Sequence, residues 1–162
     1  MKHLLTLWML ALCLCVSAKE TCPKVIPALQ EWRGGSGKLV LPAEGSIVVA
    51  PADEAALKSV ATVLAQDLLD WNYTIRTGKP GKNDIYLSLM KPDKQLGKEG
   101  YVLTAGRYAG IEAPARQGVF WGTRSLLQIL YNEKGQLPKG VARDWSQYPS
   151  RGFMLDVGRK FF

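Results

Sequence analysis

The sequence is almost without histidine and cysteine. Its one histidine is His3, and its three cysteines are Cys13, Cys15 and Cys22. All of these but Cys22 lie in or before the apolar run of MKHLLTLWMLALCLCVSA, which opens on Lys2 and His3 and closes on Val16-Ser17-Ala18. That pattern reads as a signal peptide, residues 1–18, cleaved after Ala18, so the remainder is expected to be secreted or periplasmic. The apolar run is shorter than the roughly 20 residues a membrane-crossing helix needs, and no membrane insertion is expected. Cys13 and Cys15 each follow a leucine, where lipid attachment favours a small residue, which argues against a lipid anchor.

Past residue 18 the chain has no histidine at all and a single cysteine. The Ser-His-Asp and Cys-His nucleophile systems are thereby excluded as usually built. One cysteine makes no internal disulfide, and without histidine the common zinc sites are excluded too. No metal or other cofactor is expected, and carboxylates are left as the familiar acid-base groups. Loss of Lys2 with the leader lowers the formal charge of +7 by one. Internal repeats and low-complexity stretches are also missing, and the length suits one ordinary domain.

What is present is a mixture of strand and helix patterns. Leu39–Pro42 and Ser46–Ala50 read as short strands around a turn at residues 43–45. Pro51-Ala52-Asp53-Glu54 reads as a helix start, with acids where they favour the dipole. Leu57, Val60, Ala61, Leu64 and Leu68 follow at helical spacing on one face. TGKPGKND is a loop by composition, Ile85–Met90 a strand, and KPDKQLGKEG a second loop. YVLTAG and GIEAPA read as a hairpin around residues 107–109. A second helix is expected from about Gln117, with Phe120, Thr123, Leu127 and Leu130 on one face and Leu126 widening it. Asn132-Glu133-Lys134-Gly135 ends it, and GVARDW reads as a last short strand. The expected fold is α+β, a mixed sheet with two amphipathic helices on one face.

Several motifs read as structure. GGSGK, Gly34 to Lys38, lacks the earlier glycine and the following Ser or Thr of a phosphate loop, and reads as a flexible turn. Asn72-Tyr73-Thr74 matches a glycosylation acceptor by a triplet common by chance. Lysines 79, 82, 91, 94 and 98 lie in two loops without interleaved aromatics, so no nucleic-acid partner is expected. Trp32, Trp71, Trp121 and Trp145 are candidates for a carbohydrate-binding face, although Trp71 and Trp121 fall at or in helices and read as core.

The segment YPSRGFMLDVGRKFF differs from all of these. GFMLDV is a near-continuous apolar run, as in a strand buried on both faces of a parallel sheet. Asp156 and Arg159 flank its end. If the run opens a (β/α)8 barrel, Arg159 falls on the face where barrel enzymes keep their chemistry. If it does not, the two residues pair at a strand end, and spacing alone leaves both readings standing.

The segment resembles the opening of the catalytic barrel in family 20 glycoside hydrolases, the β-N-acetylhexosaminidases: Arg-Gly, apolar residues, then Asp-x-x-Arg, a basic residue and aromatics. QGVFWGTRSLLQIL resembles the Gly-aromatic-x-Gly helix of the domain before that barrel, and EGYVLTAGRYAGIEAPA its hairpin. The likeness is close over residues 99–162 and covers residues 39–98 by order of elements only. It implies a signal peptide at 1–18, an accessory α+β domain at 19–146, and the start of a truncated (β/α)8 barrel at 147–162. It also implies that Arg159 binds the hydroxyls of the terminal sugar, that Asp156 supports it, and that Arg151 ties the barrel to the first domain. Lys160 stands where many members have histidine. The implied partners are N-acetylhexosamine-containing glycans. The implied chemistry is substrate-assisted, an exception to the two-carboxylate scheme, using an Asp-Glu pair on a later barrel strand to which nothing in this chain corresponds. On this reading the chain by itself is inactive. The competing reading is a free-standing carbohydrate-binding or interaction module.

Overall fold

The computed structural model describes residues 21–148 and 150–155. Seven strands and two long helices follow in the order β1 (Glu31–Val40), β2 (Glu44–Val49), α1 (Glu54–Asp67), β3 (Asn72–Thr77), β4 (Ile85–Leu89), β5 (Tyr101–Ala105), β6 (Ala109–Ala113), α2 (Arg116–Asn132) and β7 (Gln136–Asp144). All seven strands join one sheet, ordered β1-β7-β5-β6-β4-β2-β3. Its β3-β2-β4-β6 side is parallel and its β6-β5-β7-β1 side antiparallel. The parallel neighbours β2 and β3 are joined through α1, as a crossover between parallel strands requires. The antiparallel neighbours β5 and β6 need only the short turn at residues 106–108, where the Gly106 amide donates to the Tyr108 carbonyl at 3.1 Å.

The helical spacing in α1 does what the sequence indicates: Leu57, Val60, Ala61, Leu64 and Leu68 are all buried. They share one apolar cluster with Val119, Leu126, Ile129 and Leu130 of α2 and with Ile47, Leu87, Leu103 and Ile111 of the sheet. Both helices thus cover the same face and touch one another. The chain is an α+β domain with a mixed sheet.

The N-terminal third departs from the sequence reading. Leu39 and Val40 do not form a hairpin with β2; they end β1, which pairs with β7 across the far edge of the sheet. GGSGK is not a free turn but lies inside β1. There the register slips from Gly34↔Gly140 to Lys38↔Pro138, four steps on one strand against two on the other. Gly37 takes up the slack at φ 76°, a conformation glycine adopts without steric cost. Strand β3 is absent from the sequence reading because, as a sheet edge, only Tyr73 of its six residues is buried.

Candidate functional site

A cleft of about 520 Å³ opens where residues 26–30, the Glu99–Tyr101 corner, the outer face of α2 and the exit segment, residues 144–148 with Arg151, converge. The volume falls in the range of ligand pockets. Its floor is polar and fully engaged. The Tyr101 hydroxyl donates to Asp144 Oδ2 at 2.9 Å and lies 2.6 Å from Ser125 Oγ. The other Asp144 oxygen accepts the Gln30 amide at 3.1 Å. Burial pushes the Tyr101 phenol well above its ordinary value, and the neighbouring Asp144 charge adds to the rise. Tyr101 is thereby held as a neutral donor at neutral pH, tying β5 and α2 to the end of β7 and, through Asp144, to the N-terminal segment.

Gln128 fastens the N-terminal segment from the other side, accepting the Ile26 amide at 2.9 Å and donating to the Ile26 carbonyl at 3.1 Å. Tyr101→Phe removes the donor to Asp144 and strands two part-buried oxygens. We expect a loss of about 1–3 kcal/mol, read as a lower urea midpoint at unchanged slope. A shift below about 0.5 kcal/mol, the size of an ordinary surface substitution, would show that the network contributes little.

The walls carry aromatics. Trp121 is 40% exposed at the lip of the cleft, so it is not the core residue its helical position indicates. It lies one position outside the buried stripe, beside Phe120, whose ring it meets edge-on at 5.3 Å. Trp145 lines the same cleft, with the Arg143 guanidinium 5.8 Å from its ring centroid. Trp71 and Trp32 do pack, partly buried, against the core, and Trp71 meets Tyr131 edge-on at 5.5 Å. The four tryptophans therefore do not share one sheet face.

Of the residues singled out in the exit segment, Asp156, Arg159 and Lys160 lie outside the described residues. Arg151 is described. It donates to Glu99 Oε2 at 2.8 Å and to the Tyr148 carbonyl at 3.0 Å. Gly152–Leu155 take no part in the sheet, and Phe153, Met154 and Leu155 are exposed. In the sequence Glu99 and Tyr101 stand out only as the Glu-x-Tyr-x-Leu of the hairpin resemblance, and Ser125 and Asp144 not at all. Glu99 and Tyr101 flank Gly100 beside a lysine-rich loop, and nothing in their spacing announces partners in α2 and after β7. Among the described residues no cluster of His, Cys, Asp and Glu suits a metal ion.

The model for glycosyl hydrolase family 20, domain 2, matches residues 22–145, from the N-terminal segment to the end of the cleft floor. The chain belongs to glycosyl hydrolase family 20. The family 20 domain is 33% identical over 138 residues to a lacto-N-biosidase of Bifidobacterium bifidum, a match covering 83% of this chain and 12% of that protein. Among solved structures it resembles the family 20 beta-N-acetylhexosaminidase of Streptomyces coelicolor A3(2), at TM-score 0.72 and 27% identity over 90% of this chain and 31% of that one. It also resembles a mutant Streptomyces plicatus beta-hexosaminidase in complex with product GlcNAc, at TM-score 0.70 and 28% identity, over 90% of this chain and 30% of that one. The chain thus spans about a third or less of the length of these relatives.

Proposed function

We propose that the chain is the N-terminal part of a β-N-acetylhexosaminidase that removes terminal non-reducing N-acetylhexosamine residues from glycans. The observation that carries this is the family match across residues 22–145. It is supported by the likeness, over 90% of the chain, to a mutant beta-hexosaminidase solved in complex with its GlcNAc product. On this reading residues 1–18 are a cleaved leader to the periplasm or cell exterior, 19–146 the accessory domain, and 147–162 the start of the catalytic barrel. Arg159 binds the terminal sugar, since a guanidinium offers five fixed donors to neighbouring hydroxyls. Asp156 supports it, and Arg151 anchors the barrel's first strand to the accessory domain. The N-acetyl oxygen of the substrate attacks the anomeric carbon. A carboxylic acid from a later barrel strand protonates the leaving oxygen, and its neighbouring carboxylate steadies the acetamido group.

The chain alone is expected to be inactive, because one arginine supplies neither the acid nor a pocket. The test is to read the coding sequence past the Phe162 codon and assay both products on a nitrophenyl N-acetyl-β-glucosaminide. Cleavage by the longer product and none above buffer by residues 19–162 is the expected result. Hydrolysis by the short chain would overturn the assignment of roles. A stop codon after Phe162 together with retention of the chain on chitin would instead support the carbohydrate-binding module, the reading that the exposure of Trp121 favours.

A further inference from the structure

Glu99 receives hydrogen bonds from three side chains, one at the start of α2 and two in the exit segment. Its Oε1 accepts Gln117 Nε2, at the start of α2, at 2.9 Å. Its Oε2 accepts the Ser146 hydroxyl, just past β7, and Arg151 Nη2 at 2.8 Å. The Ser146 hydrogen bond, followed by that of Arg151, holds the Glu99 carboxyl below its ordinary value. The backbone beneath is immobilised: the Gly100 amide donates to the Leu96 carbonyl at 2.7 Å, and Gly118 of α2 packs directly against the Gly100 carbonyl.

A lone ion pair at this exposure is worth little, because water screens it and two side chains must be ordered to make it. Three donors converging on one carboxylate, one from α2 and two from the exit segment, are a different case: each holds the carboxylate in place for the others. Between Ser146 and Arg151 the chain is thereby pinned at two points across the mouth of the cleft, which both residues line. Just beyond the second pin stand Phe153, Met154 and Leu155, exposed at 88%, 91% and 68%.

We propose that Glu99 is a positioning residue that fixes the path by which the chain leaves this domain. It holds Ser146 and Arg151 at the cleft, so that Phe153, Met154 and Leu155 project towards an apolar partner surface. On the proposed function that surface is the remainder of the catalytic barrel, and the inference rests on that reading for the identity of the partner only.

Arg151 itself supplies the test, since trypsin cleaves the Arg151–Gly152 bond only when the guanidinium has left Glu99. When opening is fast relative to cleavage, the rate follows the population of the open form. In the 162-residue chain, Glu99→Gln is expected to raise cleavage at Arg151 about tenfold while cleavage at Lys82, in the loop before β4, is unchanged. An unchanged rate at Arg151 would overturn the proposal. So would an equal rise at both sites, which would make Glu99 a general stabiliser of the domain. If Glu99→Gln does not fold, Ser146→Ala carries the test: about a threefold rise at Arg151 is expected, and no change overturns the proposal. No glycan enters the experiment, so its outcome is independent of whether the longer protein is a hexosaminidase.

Discussion

Gly118→Ala is expected to destabilise the domain by about 1–2 kcal/mol net, although alanine is the better helix former. A Cβ built at Gly118 would lie 2.2 Å from the Gly100 carbonyl oxygen and 2.8 Å from the Ala113 Cβ. Neither neighbour is the free end of a flexible side chain. The Gly100 carbonyl belongs to backbone that is itself pressed on Leu96, where a Cβ at Gly100 would come within 2.5 Å of the Leu96 carbonyl oxygen. Relief therefore requires α2 to lift off the β5–β6 hairpin, disturbing contacts of Val119 and Leu126, both fully buried. Overpacking of this kind costs about 1–3 kcal/mol, occasionally more. The helix-propensity gain of about 1 kcal/mol offsets only part of it. Gly106→Ala is the control, since nothing lies within 4 Å of its Cβ position. A chemical-denaturation midpoint lowered for the first and unchanged for the second is the expected pair of results. A neutral Gly118→Ala would mean that α2 does not sit this close to the sheet.

Leu126→Ala is expected to cost about 3 kcal/mol, within the 2–5 kcal/mol range for leucine truncations in a packed core. Trp121→Ala, which removes a larger side chain from the same helix, is expected to cost less than about 1 kcal/mol. The contrast follows from orientation. Leu126 is completely buried in the common cluster of both helices and the sheet, where its loss leaves a cavity that the facing strands cannot fill. Trp121 points to the lip of the cleft with 40% of its surface in water. Thermal unfolding of the two variants side by side decides the matter. A larger loss for Trp121→Ala than for Leu126→Ala would reverse the assignment of the two faces of α2.

The pattern of what could and could not be read in advance has a physical basis. Helix α1 was legible because a helix that buries one face must repeat apolar residues every three or four positions, and Leu57, Val60, Ala61, Leu64 and Leu68 do so. The β5–β6 hairpin was legible because its pairing is local. In α2 the periodicity located the helix and most of its buried residues, and Phe120 does pack, partly buried, against the core; only Trp121 was misplaced, since it lies 40% exposed at the lip of the cleft. Strand β3 left no signal because an edge strand with five exposed residues needs no apolar alternation. Its conformation comes from parallel pairing with β2. Strand β1 was mistaken for a turn because its glycines, which normally punctuate a chain, here absorb a bulge.

The sequence by itself determined the amphipathic helices, the local hairpin and the motifs that identify family 20. Each of these is a property of neighbouring residues. The tertiary structure alone decided that β1 crosses the sheet to join β7, that Trp121 faces water, and that Glu99 and Asp144 gather donors from segments up to 114 residues apart. Such pairings arise because buried or ordered polar groups must find partners wherever the chain brings them together, and sequence separation carries no record of that encounter.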